Sequence, residues 1–191
     1  HFNESAELKI QAAAELAQPV AQAIELMFMA LSNGNRILAC GNGGSGALAQ
    51  LFAATFVGHL ERERPELGAV ALNTDAVWLT GAANNYGFEH VFAKQVRALG
   101  QPGDVLLVVS ASGQAENILH AIRAAHEREL SVVALTGQSG GKIRQELREI
   151  DVHICVPSDK AVRIQEVHLL VLHTLCDGVD SQLLGEQETT E

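Results

Sequence analysis

A glycine-rich segment with the chemistry of an anion site follows a short apolar run: Gly41-Asn42-Gly43-Gly44-Ser45-Gly46. Glycines let the backbone turn sharply and approach a ligand closely. A helical pattern starts at once, and the first N–H groups of a helix bind anions with the positive end of its dipole behind them. The segment therefore predicts a phosphate site contacted by Asn42, Gly43, Gly44 and Ser45. A strand-to-helix turn without a ligand is the alternative.

A second segment of this kind, Ser110-Ala111-Ser112-Gly113, follows a later apolar run and also precedes a helical pattern. Alone, Ser110 or Ser112 would be interpreted as a helix N-cap residue. Two hydroxyl-bearing turns suit one phosphate group held by hydroxyls and helix N-termini, whereas a dinucleotide needs only the first turn. The pair therefore favours a sugar phosphate as ligand.

The first turn also matches G-x-G-x-x-G, which is typical of dinucleotide-binding sites. Such sites require an acidic residue about 20 residues on, at the end of the second strand. Here that strand ends at Asn73, and Asp75 is better explained as the N-cap of the next helix. A P-loop is excluded because no Gly-Lys-Ser/Thr follows. The sequence thus disfavours a nicotinamide-dependent dehydrogenase.

Short runs rich in Val, Ile and Leu alternate with helical patterns along the chain. The strands and helices that these patterns predict hold both turns in place. Continuous apolar runs indicate strands covered on both faces, as in a parallel sheet between two helical layers. We expect one α/β domain with a five-stranded, doubly wound parallel sheet, whose ligand binds beyond the carboxyl ends of the strands. The predicted strands are residues 37–40, 69–72, 105–109, 132–135 and 152–156.

The helical patterns cover residues 4–31, 46–60, 75–83, 89–99, 115–128, 142–147 and 161 to about 184. We expect a break in the first before Pro19. That N-terminal segment, residues 1–33, has no room in a minimal doubly wound core, so its apolar stripe is expected in a subunit interface. The acidic residues 185–191 are expected to form a flexible tail.

The composition of the chain excludes several classes of protein. The chain has 191 residues, a formal net charge of −10 and no apolar run near the roughly 20 residues of a membrane span. The charge disfavours direct binding to nucleic acid, which requires clustered Lys and Arg. Cys40, Cys155 and Cys176 form no metal-binding or disulfide pattern and are expected to be buried thiols. We expect a cytoplasmic protein without direct contact to nucleic acid or membrane.

Nearly the whole chain resembles a known family. The two turns and the segment Ala161-Val162-Arg163-Ile164-Gln165-Glu166-Val167-His168 are similar to the sugar isomerase (SIS) domain. More narrowly, they resemble the branch containing phosphoheptose isomerase and the DnaA initiator-associating protein. The resemblance implies a homotetramer and a sugar phosphate ligand, with Asn85, Gln165 and His173 as further ligand contacts.

The resemblance also assigns catalytic positions. In the family a His and a Glu four residues apart follow the first turn, face a Gln and a His on the last helix, and form a zinc site with them. Here the first two positions carry Leu51 and Thr55, whereas Gln165 and His173 remain. In addition, this chain has Asn84-Asn85 where the family has Asn-Asp after the third helix. It has Ala115 where the family has a serine beyond the second turn.

These departures lead us to expect a non-catalytic phosphosugar-binding protein without a cofactor. It would regulate the initiation of chromosome replication like the DnaA initiator-associating protein. DnaA would be its partner, with Leu183 and Leu184 at the partner surface or simply packed on the last helix. The alternative is an active phosphoheptose isomerase of lipopolysaccharide heptose synthesis that uses His173, and zinc is expected only then. A phosphosugar sensor is a third hypothesis.

The remaining charged and histidine side chains receive structural interpretations. Glu166 and His168 lie on other faces of the last helix from Gln165 and His173, and we expect them in salt bridges or packing. The other histidines form no cluster in the sequence and are expected at the surface or in packing contacts: His59, His90, His120, His126 and His153.

Overall fold

The computed structural model describes residues 1–185, so all of the expected tail at 185–191 except Gly185, the C-cap of the last helix, lies outside it. The elements follow one another as α1 Phe2–Ser32, β1 Ile37–Gly41, α2 Gly44–Val57, β2 Ala69–Ala71, α3 Ala76–Tyr86, a 3₁₀ turn Phe88–His90, α4 Ala93–Leu99, β3 Val105–Ser110, α5 Glu116–Glu127, β4 Ser131–Gly137, α6 Ile143–Glu146, β5 Val152–Val156 and α7 Ala161–Leu184.

The five strands form one parallel sheet in the order β2-β1-β3-β4-β5. The strand order reverses between β1 and β3, and ligands of open α/β sheets bind in the crevice at such a switch point. Gly41 pairs with Val109, so the two neighbouring strands end level with each other. The two glycine- and serine-containing turns therefore leave the sheet side by side.

Helices cover both faces of the sheet, as the continuous apolar strands require. Helices α1, α2 and α7 pack on one face, and α3, α4 and α5 pack on the other. The central strands β1 and β3 are buried along their whole length. The predicted fold class, strands and doubly wound sheet are confirmed.

One expectation about the N-terminal helix is wrong, because helix α1 continues through Pro19 without a break. Its apolar stripe, which includes Leu16 and Val20, packs against α7 of the same chain. The place of residues 1–33 in a subunit interface stays a prediction. A proline inside a helix costs about 3 kcal/mol, and we infer that burial of this stripe on both sides of Pro19 outweighs that cost.

The other departures are smaller. Helix α3 extends to Tyr86, and the expected helix 89–99 is divided into the 3₁₀ turn and α4. Cys40 and Cys176 are buried, and burial raises the pKa of the Cys176 thiol to about 12. Cys155 is only partly buried, which corrects the expectation for that thiol. Among residues 1–185, no helix combines the length and the hydropathy of a membrane span.

Candidate functional site

The two turns are joined by a reciprocal pair of side-chain amides. Asn42 donates from Nδ2 to Oδ1 of Asn117 at 2.8 Å, and Asn117 returns the same bond at 2.9 Å. Asn117 lies in the first turn of α5 and is only 3% exposed. Since the two bonds link the turn after β1 to the helix after β3, they hold the two turns as one unit. Asn117 was not among the residues that the sequence predicted for this site.

Backbone geometry explains the glycines of the first turn. Gly43 has a φ of +54° and is the N-cap of α2, a conformation that favours glycine. At Gly41, a Cβ atom would lie 2.6 Å from the carbonyl oxygen of Ser45. Asn73, which follows β2, donates from Nδ2 to the Gly41 carbonyl at 2.6 Å. The residue that argued against a dinucleotide site therefore braces the first turn.

The serines lie where the turns leave the sheet. Ser45 and Ser110 are buried, at 5% and 7% exposure. Helix α5 begins only at Glu116, with Ala115 as a cap that makes no side-chain hydrogen bond. Neither Ser110 nor Ser112 is therefore the N-cap of α5, which was the alternative explanation for them. Their contact with a phosphate stays a prediction.

Gln165 belongs to this site in the folded chain. A Cβ atom on Gly44 would lie 3.0 Å from Nε2 and 3.1 Å from Oε1 of Gln165. The amide of α7 thus lies directly over the first residue of α2, where the unpaired N–H groups of the helix begin. A bound anion at this helix end would meet the Gln165 side chain as well.

His173 faces a different space. It lines a cavity of about 240 Å³ with Leu60, Glu61, Thr174 and Asp177, and no residue of the two turns lines this cavity. Eight residues separate His173 from Gln165, which is about 12 Å along the helix axis. Within one chain the structure therefore places His173 away from the turns and Gln165 beside them.

The positions that the resemblance assigns to a zinc site do not fit the metal. Leu51 on α2 is apolar and 43% exposed. Thr55 donates from Oγ1 to the Leu51 carbonyl at 2.9 Å, so its hydroxyl hydrogen is already bound within the helix. Within residues 1–185, no group of three or more His, Cys, Asp or Glu side chains could hold a metal ion. Gln165 and His173 alone leave a tetrahedral zinc site short of ligands.

The other predicted site residues lie at the surface. Asn85 is exposed near the end of α3 and accepts a bond from Asn84 at 3.0 Å. Leu183 and Leu184 are 38% and 41% exposed at the end of α7. Their roles in ligand and partner binding stay predictions.

The histidines require a correction, because two of those expected outside clusters pack together. Nδ1 of His90 lies 3.3 Å from Nδ1 of His120, although the residues are distant in sequence. His126 pairs with buried Asp151 at 2.8 Å. His168 is fully buried, and desolvation lowers its pKa to about 4. The packing expectation is confirmed for His168.

Comparisons with known proteins agree with this architecture. Residues 1–137 match the family described as "SIS domain". The phosphoheptose isomerase of Azoarcus sp. (strain BH72) is 59% identical over 187 residues, which are 98% of this chain and 95% of that protein. That of Methylibium petroleiphilum is 54% identical over 190 residues, covering 100% and 95%. The solved phosphoheptose isomerase of Neisseria gonorrhoeae superposes with a TM-score of 0.91 at 52% identity over 95% of both chains.

These relatives overturn one expectation. A non-catalytic regulator of replication initiation with DnaA as partner is wrong, since relatives of nearly equal length at 54% to 59% identity are named phosphoheptose isomerase. The expectation gave the two changed side chains, Leu51 and Thr55, more weight than the similarity of the whole chain. Leu51 and Thr55 affect which residues could perform a reaction, since the resemblance assigns their positions to a metal ligand and a base.

Proposed function

Because this chain belongs to the SIS domain family, we propose that it is a phosphoheptose isomerase that converts sedoheptulose 7-phosphate to an aldoheptose phosphate. The observation that carries the proposal is the pair of glycine- and serine-containing turns at the switch point of the sheet, where hydrogen bonds between Asn42 and Asn117 link the first turn to the helix after the second. Relatives that share the chain at 54% to 59% identity support the choice of reaction.

The phosphate would bind between the turns. The N-terminal N–H groups of α2 offer donors and a positive dipole end, and the hydroxyls of Ser45, Ser110 and Ser112 offer further donors. Gln165 lies over the start of the same helix. Binding through backbone and neutral side chains needs no cluster of Lys or Arg, in agreement with the acidic composition.

The reaction moves hydrogen between neighbouring carbons. One group removes a proton from C1 of the ketose while another protonates the C2 carbonyl oxygen, and an enediol results. Return of a proton to C2 and loss of the O1 proton complete the aldose. Such a step requires a base and an acid on the protein. His173 is the titratable side chain that remains at the family's positions, and we assign it one of these roles.

The distance between Gln165 and His173 fits a long substrate. A phosphate held at the turns would leave the far end of an open seven-carbon chain free to extend along α7 toward His173. The reacting carbons, C1 and C2, are at that end because the phosphate is on C7. The proposal therefore separates the phosphate site, beside Gln165, from the proton-transfer site, at His173.

Assembly is part of the proposal. An apolar groove of about 230 Å³ lies between α1 and α7, and Ile10 on α1 and Leu170 on α7 are 75% and 47% exposed. Burial of such an apolar surface would stabilise an oligomer, and we propose a homotetramer. A monomeric mass in light scattering would contradict it.

The test is an assay of the purified protein with sedoheptulose 7-phosphate and detection of the aldoheptose phosphate. We expect turnover, and we expect it to fall by at least about 100-fold in His173→Ala, the effect of losing an acid or base. Full activity of that variant would exclude His173 from the reaction.

A further inference from the structure

The proposed isomerase needs a proton-transfer group besides His173, and Leu51 and Thr55 do not supply one. Leucine carries no ionisable group. The Thr55 hydroxyl donates within its own helix. The cavity at His173 contains two carboxylates, Glu61 and Asp177. One of these is available to act with His173.

The two carboxylates reach the cavity from different sides. Asp177 follows His173 by four residues on α7, so the two residues share one helix face and line the same cavity. Glu61 comes from the connection between α2 and β2, residues 58–68. A side chain from this second segment can lie across the cavity from the imidazole, where the partner of an acid–base pair belongs.

The connection that carries Glu61 is fixed to α7 by two arginines that follow Glu61 in the chain. Arg62 donates to the carbonyl of Gly185, directly after α7, at 3.1 Å. Arg64 forms an ion pair with Asp180 of α7, and both side chains are almost completely buried. Glu61 is therefore held close to the helix by its neighbours, although its own side chain is exposed to solvent.

Arg64 also ties the connection to the end of α2. Its guanidinium donates to the carbonyls of Thr55, Phe56 and Gly58 at 3.1, 2.9 and 3.0 Å. These bonds satisfy carbonyls at the C-terminus of α2, which have no partner within the helix. The backbone around Glu61 is thus braced by α2 and α7 together.

We propose that Glu61 is the catalytic carboxylate of a metal-independent proton transfer, with His173 as its acid partner. The Glu61 carboxylate takes the C1 proton while the His173 imidazolium protonates the C2 carbonyl oxygen, giving the enediol. The Glu61 carboxylic acid then returns a proton to C2, and neutral His173 takes the O1 proton as the C1 aldehyde forms. Both groups end as they began.

This inference rests on the proposed function, and the test separates the two. The assay uses full-length protein treated with chelator and desalted, whose zinc content is measured by mass spectrometry. We expect wild-type turnover without zinc. Glu61→Gln should lower kcat by at least about 100-fold and change KM less than threefold, because the phosphate turns are untouched.

Glu63→Gln is the matched control. Its side chain lies on the same connection and is 88% exposed, and we expect kcat within twofold of wild type. Equal thermal midpoints of the three proteins would show that folding is unchanged. If Glu61→Gln keeps more than half of the wild-type kcat, or if turnover requires zinc, the inference fails and the isomerase proposal stands. If wild-type protein has no turnover with or without zinc, both fail.

Discussion

Loss of the two hydrogen bonds between Asn42 and Asn117 should weaken phosphate binding. Asn117→Ala removes both hydrogen bonds, and a typical intramolecular hydrogen bond contributes about 0.5 to 1.5 kcal/mol. The pair therefore contributes about 1 to 3 kcal/mol. If about 1.4 kcal/mol of this holds the turns in their binding geometry, the Kd for inorganic phosphate rises about tenfold.

A double-mutant cycle measures the coupling directly. Calorimetric titration with inorganic phosphate gives Kd for wild type, Asn42→Ala, Asn117→Ala and the double variant. Because each single change already breaks the pair, we expect the double variant to bind little worse than Asn42→Ala, with a coupling free energy of about 1 kcal/mol or more.

Asn117→Leu separates hydrogen bonding from packing, since it keeps side-chain volume but offers no donor. We expect it to weaken phosphate binding as Asn117→Ala does. A role of the amide pair in phosphate binding is excluded if the two single changes are additive within about 0.5 kcal/mol, or if Asn117→Leu binds phosphate like wild type.

Three further predictions concern single side chains. Gly44→Ala places a Cβ atom 3.0 Å from the Gln165 amide, so we expect KM to rise while stability changes by less than about 1 kcal/mol, and an unchanged KM would contradict the role of Gln165. The pKa of His168 in the folded protein is about 4, below the ordinary 6.5, so the unfolded state binds the proton more readily. The free energy of unfolding measured in urea should therefore fall by up to about 3 kcal/mol from pH 7.5 to pH 4.5. The variant His168→Gln should lose that part of the pH dependence. Arg64→Met leaves Asp180 buried and unpaired and should cost about 3 to 5 kcal/mol in denaturant unfolding, whereas a change below 1 kcal/mol would show that the pair is not buried in solution.

The sheet was predictable because its signal is local. Strands such as β1 and β3 are continuous apolar runs, and this pattern by itself indicates burial on both faces. Asp75 also could be identified as a helix N-cap from its type and place, and it accepts from the backbone N–H of Trp78 at 2.8 Å. The continuity of α1 through Pro19 was not predictable, since it depends on α7, which lies far away in sequence.

In the candidate site, too, the residues with a local sequence signal could be predicted, and those brought together only by the fold could not. The turns could be found because glycines and serines follow strands, whereas the bond between Asn42 and Asn117 joins residues 75 apart in sequence. Nothing local distinguishes Asn117 from an ordinary residue of a first helical turn. Glu61 is a similar case, because it lines the same cavity as His173 although the two residues are far apart in sequence.

Turnover of sedoheptulose 7-phosphate by zinc-free wild-type protein would show whether this chain is an isomerase that works without a metal ion. We predict formation of aldoheptose phosphate at a rate that added zinc does not raise and that His173→Ala lowers by at least about 100-fold. Absence of product from folded protein that still binds inorganic phosphate, with and without added zinc, would contradict the assignment as an isomerase.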